Sequence, residues 1–242
     1  MGAVKTKRMP RAVREQQMLD AAVRTFGQRG YMAASMDEIA ELAGVSKPLV
    51  YLYLNSKEDL FSACIRREAA ALTEAVKAGV HHDVPADRQL WEGLRAFFTH
   101  TAQHPDGWSV LHTQARTHGE PFEAEVSALR EEFVAFVTQL IALTAHSGGV
   151  ACSGEARGGE ARGGEARGGG ARGRGGHRDP ELPEREICGL AEALVGAAES
   201  LAAWANATPG VTARQAAAIL MNFAWAGLDN LMAGRPWTPP AA

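Results

Sequence analysis

The chain has 242 residues, 46% of them hydrophobic and 7% aromatic, enough to bury a sizeable core in one large or two small domains. A formal net charge of -3 excludes a protein that coats nucleic acid through extended positive charge. Cys64, Cys152 and Cys188 have no metal-type spacing and are odd in number, which argues against a disulfide framework and for a cytoplasmic location.

Basic charge gathers at the start: residues 1–29 hold Lys5, Lys7, Arg8, Arg11, Arg14, Arg24 and Arg29 against Glu15 and Asp20. Residues 1–10 read as a disordered basic arm able to follow a DNA groove, and no signal sequence is visible in them. Met18, Leu19, Ala22, Val23 and Phe26 then recur at helical spacing up to Gly30-Tyr31. The segment from Ser35 to Leu54 reads as two short helices joined by a tight turn. Ser35 caps the first, with Glu38 completing a capping box, and Met36, Ile39, Ala40 and Ala43 form its buried stripe. Gly44 sits where the turn needs positive φ. Ser46 caps the second helix, and Pro48 is tolerated in its first turn, where no intrahelical donor is lost. Val45, Val50 and Leu54 lock the two together, leaving Lys47, Pro48, Leu49, Leu52 and Tyr53 near the outer side. This is the geometry that holds one helix in the DNA major groove. Ser56-Lys57-Glu58-Asp59-Leu60 opens a further helix with its own capping box.

From Arg11-Ala12-Val13-Arg14 through Ala21-Ala22-Val23-Arg24-Thr25-Phe26 and Gly30-Tyr31 to Lys57-Glu58-Asp59-Leu60-Phe61, the run resembles the DNA-binding domain of the TetR family of bacterial transcriptional regulators. The resemblance covers residues 11–71 and implies which side chains meet DNA. Ser35 would donate to a phosphate, helped by the helix dipole. Tyr51 and Lys57 match further phosphate contacts, and Lys47 would reach a phosphate or a guanine edge. Pro48, Leu49, Leu52 and Tyr53 would face base edges, the aliphatic ones against thymine methyls. Packing is the alternative for Leu49, Tyr51, Leu52 and Tyr53, and a plain surface lysine for Lys47. Leu49 stands where the family often has threonine, and Leu54 where it often has phenylalanine. Asp37 repels phosphate and stays outside the set. Two such heads about 34–36 Å apart would grip successive major grooves, so the expected partner is a near-palindromic double-stranded DNA operator.

Beyond residue 60 every ordered segment reads helical, and the expected class is all-α. A long helix from about Glu58 to Val80 carries Leu60, Phe61, Cys64, Ile65, Leu72 and Val76 inward, and the break His81-His82-Asp83-Val84-Pro85 ends it. The next places Leu90, Trp91, Leu94, Phe97 and Phe98 on one face and stops near His104. A short helix begins near Trp108, and a long one runs from Pro121 to His146. Residues 148–181 break the pattern with the five-residue repeat Gly154-Glu155-Ala156-Arg157-Gly158, read as a flexible linker whose acidic residues nearly cancel its arginines. Two helices close the chain, one from Pro183 to Asn206 and one capped by Thr212 with Gln215, before a tail at 235–242.

The expected organisation is a three-helix DNA-binding domain at 11–71 followed by a helical effector-binding and dimerisation domain at 72–234. The resemblance implies a homodimer formed through the last two helices, whose alanine- and glycine-rich faces suit close packing, and a pocket for a small, often apolar effector. Phe97, Phe98, Trp108, Phe133 and Phe136 are its candidate walls, with Thr101, His104, His112 and Gln114 for polar contacts. His100 and His104 stand at i, i+4 without a third ligand, so no metal and no cofactor are expected. The longest apolar runs are punctuated by Glu, Asn or Asp, so no membrane span is expected. The leading function is a repressor released by its effector; an activator or a constitutive DNA binder is the alternative. An all-α enzyme is remote, since no phosphate loop, metal signature or nucleophile motif is present.

Overall fold

Helical periodicity and capping residues dictate the local structure, and no strand occurs among the described residues. The computed structural model describes residues 10–151 and 184–232, with side-chain surroundings for 10–143 and 185–225. The basic arm before residue 10, the repeat beyond Ala151 and the tail lie outside the described residues. In chain order the helices are α1 (Arg11–Arg29), α2 (Met36–Leu42), α3 (Lys47–Leu54), α4 (Lys57–Gly79), α5 (Ala86–Gln103) and α6 (Pro105–Ser109). A π-helical turn (Val110–Gln114) leads into α7 (Ala115–Thr117), α8 (Phe122–Ala151), α9 (Glu184–Ala207) and α10 (Ala213–Met232). Because α8 runs on to Ala151, residues 148–151 are helical where a linker was expected.

The caps follow the sequence in part. Thr212 and Gln215 close a full box, with Gln215 Oε1 accepting from Thr212 N at 2.9 Å and Thr212 Oγ1 from Gln215 N at 3.2 Å. Ser56 Oγ accepts from Asp59 N at 2.9 Å. Ser35 Oγ accepts from Asp37 N at 3.2 Å, but its box stays open, because Glu38 turns away to pair with Arg29 at 2.6 Å. Ser46 takes the N-cap position without a side-chain hydrogen bond.

Two cores result. The first gathers α1 to α4 around Phe61, which meets Phe26 edge-on at 4.9 Å and Phe122 at 4.8 Å, while Tyr31 packs on both Phe61 and Phe122. Such edge-to-face rings add specific attraction to their burial. Val110, Ala115, Phe122 and Val126 belong to this core, so packing does not divide at residue 71. The second core joins Leu72, Val76, Leu94, Phe97 and Phe98 to Ala198, Ala202, Ala216, Ala217 and Leu220. Helix α4 serves both, its first half in one and its second half in the other. By length and composition alone, residues 185–207 of α9 could cross a membrane, contrary to expectation. In this fold that helix instead buries Ala191, Val195, Ala198 and Ala202, and its Glu192 and Glu199 pair with Arg130.

Candidate DNA-reading face and effector cavity

Val50 and Leu54 anchor α3 on the first core, which leaves the opposite side of the helix in solvent. There Lys47, Pro48, Tyr51 and Leu52 form one patch, with Leu52 73% exposed. Gly44 adopts φ 65, the left-handed conformation that swings α3 across α2 at little steric cost to glycine. Ser35 is exposed at the start of α2, its hydroxyl oxygen engaged by Asp37 N. Leu49 and Tyr53 are only half exposed; Tyr53 packs against the first core and lies under the Arg11 guanidinium, 4.9 Å from its ring centre.

The two lysines differ. Lys47 Nζ lies 2.9 Å from Asp37 Oδ2, and that hydrogen bond pushes the Lys47 pKa up. Lys57 Nζ donates to the Met32 carbonyl at 3.3 Å and sits 4.7 Å above the Tyr31 ring. Partial burial pushes its pKa down, and Glu58 opposes that only in part. Lys57 therefore ties the turn after α1 to the start of α4, in addition to any contact with DNA.

The bundle encloses a cavity of about 100 Å³ between α4, α5, α8 and α9, lined among others by Val76, Leu94, Phe97, Phe133, Leu140 and Val195. Gln89 brings the main polar side chain to an otherwise apolar wall. A second cavity of about 60 Å³ shares Phe97, Phe133 and Val195 and adds Trp108, Leu111 and His112. Its far end is polar: Glu199 receives Arg130 at 3.2 Å and Arg116 at 3.3 Å. His112 stacks on Trp108 at 5.0 Å, and burial followed by the nearby Arg116 charge pushes its pKa down.

Of the expected pocket residues, Phe97, Trp108, His112 and Phe133 thus come together, and five others do not. Phe98 and Thr101 are buried in helix packing, Thr101 donating to the Phe98 carbonyl at 3.2 Å. His104 faces a polar cleft with Asp20, Arg67 and Glu68. Phe136 turns toward Lys77, 5.7 Å away. Gln114 also leaves the pocket, its Oε1 accepting from Tyr31 N at 3.4 Å. The five share one cause: helical periodicity assigns a face, but which neighbour covers that face depends on how the helices cross.

The junction between the two units was not legible beforehand. Ser109 donates to the Gly27 carbonyl at 3.1 Å and Gln28 to Asp106 at 3.1 Å. A Cβ on Gly27 would lie 2.7 Å from Asp106 Cα. A glycine inside an otherwise helical run was the one available signal, since glycine there weakens a helix unless a close approach requires it. Arg116, Arg130 and Glu199 carried no local motif at all.

Comparison with known proteins agrees with this architecture. The profile of a family described as bacterial regulatory proteins, tetR family, matches residues 18–64, and one described as tetracyclin repressor-like, C-terminal domain, matches residues 86–151. The HTH-type transcriptional activator FasR of Mycolicibacterium smegmatis is 32% identical over 151 residues, spanning 61% of this chain and 69% of that protein. A TetR-like transcriptional regulator from Rhodococcus sp. RHA1 superposes with a TM-score of 0.64 at 34% identity, covering 92% of this chain and 99% of that one. FadR of Bacillus subtilis, solved in complex with stearoyl-CoA, shares the fold at a TM-score of 0.62 and 16% identity, covering 86% and 96% of the two chains.

Proposed function

Because the chain belongs to the TetR family of bacterial transcriptional regulators, and is a DNA-binding regulator rather than an enzyme, we propose that it works as a homodimeric repressor released by a small apolar effector. The observation that carries this reading is the exposed patch on α3 set on an aromatic core, with an apolar cavity in the bundle behind it. In this reading Lys47, Pro48, Tyr51 and Leu52 enter the major groove. Leu49 and Tyr53 support them from beneath, and Ser35 and Lys57 meet flanking phosphates. Tyr51→Ala with Leu52→Ala leaves the fold intact, since both side chains are exposed, and lowers operator affinity at least tenfold, roughly one lost specific contact. Unchanged anisotropy with the selected operator would place the reading surface elsewhere.

Dimerisation through α9 and α10 is supported by Trp204, Ile219 and Phe223, which remain 48%, 48% and 77% exposed in the single chain. Phe223→Glu is expected to give a monomer in light scattering and to weaken operator binding, because one head alone makes half the contacts.

Effector release is a shift between two conformers, limited by the effector's differential affinity for them. The π-helical turn is placed to carry it. Leu111 and His112 line the second cavity, while Ser109 and Gln114 on either side hold Gly27 and Tyr31 of the reading head. A π-helical segment is strained relative to an α-helix and often marks such a functional point. A molecule that expands the cavity moves this turn and thereby the head. Titration of apolar candidates against the bound operator tests the step; affinity that never responds leaves a constitutive binder. The likeness to FasR, named an activator, favours a second reading in which the same DNA grip recruits transcription. Operator position relative to the promoter decides between the two.

A further inference from the structure

One contact on the outer face of α3 is not explained by phosphate binding or by packing. Lys47 Nζ lies 2.9 Å from Asp37 Oδ2, joining the first turn of α3 to the first turn of α2. Both side chains are in solvent, 44% and 69% exposed, so the pair contributes little to holding the helices together. Tyr51 stands one helical turn further along the same face, with Leu52 beside it. A hydrogen-bond donor and an acceptor therefore lie side by side on the outer face beside α3. The pair is neutral as a whole, so the Asp37 carboxylate enters the field of the phosphates with its charge already balanced.

The geometry points to Asp37 and Lys47 acting as one two-headed reader of a G·C pair, Lys47 donating to guanine O6 and N7 and Asp37 accepting from the cytosine N4 amino group. This rests on the reading that α3 enters the major groove. Guanine O6 and cytosine N4 are hydrogen-bonded to each other, hence about 2.9 Å apart, which matches the spacing of the protein pair. An A·T pair also places a donor beside an acceptor, adenine N6 and thymine O4. Thymine, however, gives the ammonium a single acceptor with a methyl group beside it, whereas guanine gives two.

The test is selection of binding sites from random duplexes by the full chain, by Asp37→Ala, by Asp37→Asn and by Lys47→Met. The native sequence is expected to select a G·C pair at one symmetric position of each half-site. Asp37→Ala keeps the other positions and loses discrimination at that one by about 5- to 100-fold, measured by anisotropy on single-pair variants. Asp37→Asn, which retains one acceptor oxygen, loses less, and Lys47→Met loses the guanine preference. If Asp37→Ala and Asp37→Asn raise affinity alike and evenly while the selected sequence stays the same, Asp37 only repels phosphate and the proposal falls. If the native chain selects a site whose binding Tyr51→Ala with Leu52→Ala leaves untouched, the reading of α3 falls and takes this proposal with it.

Discussion

Phe61 and Phe133 sit in the two cores of this molecule and are packed to different ends. Phe61 is fully buried among the rings of Phe26, Tyr31 and Phe122. Phe133 is half exposed and borders both cavities, where part of its surface meets nothing. A close-packed core fixes geometry to fractions of an ångström, while a core with voids forfeits dispersion contacts and can repack around a guest. On the function proposed above, the N-terminal unit needs the first property to present α3 in one pose, and the bundle needs the second to admit an effector. Helix α4 and the α6–π-turn segment belong to both, so the two regions are joined by covalent continuity and a few polar contacts.

Substitutions that exchange these properties test the contrast. The largest effect is expected from Phe61→Ala, about 3–5 kcal/mol of unfolding free energy in a urea titration, against about 1–2 kcal/mol for Phe133→Ala, which already lacks neighbours on one side. Equal losses would mean that the two cores are equally packed. Gly27→Val comes next, because its Cβ would press on the Asp106 backbone, which cannot swing aside as a side chain can. A loss of about 1–3 kcal/mol is expected, with operator affinity falling as α1 shifts. Gly189→Ala, which meets open space on α9, should instead raise the melting temperature through helix propensity worth about 1 kcal/mol. Val195→Phe fills both cavities from α9 and is expected to leave operator affinity unchanged while abolishing release by any effector found.

The smallest effect is on pH dependence. Burial pushes His100 and His112 below their ordinary value of 6.5, assisted by His104 and Arg116 respectively. The folded chain therefore binds fewer protons than the unfolded one just below pH 6.5. Their contribution to stability is complete above that pH and is lost as pH falls through the lowered folded values. The melting temperature should drop on acidification across this window, and His112→Gln should flatten the drop.

The order of the long helices was legible because each carries its own signal, while the single short helix expected near Trp108 is instead α6 from Pro105, the π-helical turn and α7. A stripe such as Met18, Leu19, Ala22, Val23 and Phe26 needs no partner to be recognised, and all five are buried as the spacing requires. The exposed face of α3 was legible for a related reason: once Val50 and Leu54 are committed to the core, α3 has only one side left. The apolar cavity in the bundle was legible only in part. Phe97 and Phe133 meet there, yet Phe98, one residue from Phe97, turns into helix packing. Adjacent helical residues point about 100° apart, and helix crossing, not periodicity, decides which of them borders a void.

What the amino-acid order determined unaided was the all-α class, the helix–turn–helix with its Gly44 hinge, and the helix ends set by Ser56 and by Thr212 with Gln215. These depend on interactions within a few residues, which the chain spells out locally. What the tertiary structure decided was the meeting of Asp37 with Lys47, of Gly27 with Asp106, and of Arg116 and Arg130 with Glu199. Each of these joins separate helices, and the first spans only ten positions. Such pairings are fixed by how whole helices pack, because burial of apolar faces sets the crossing and polar side chains then find whatever partner that crossing brings within reach.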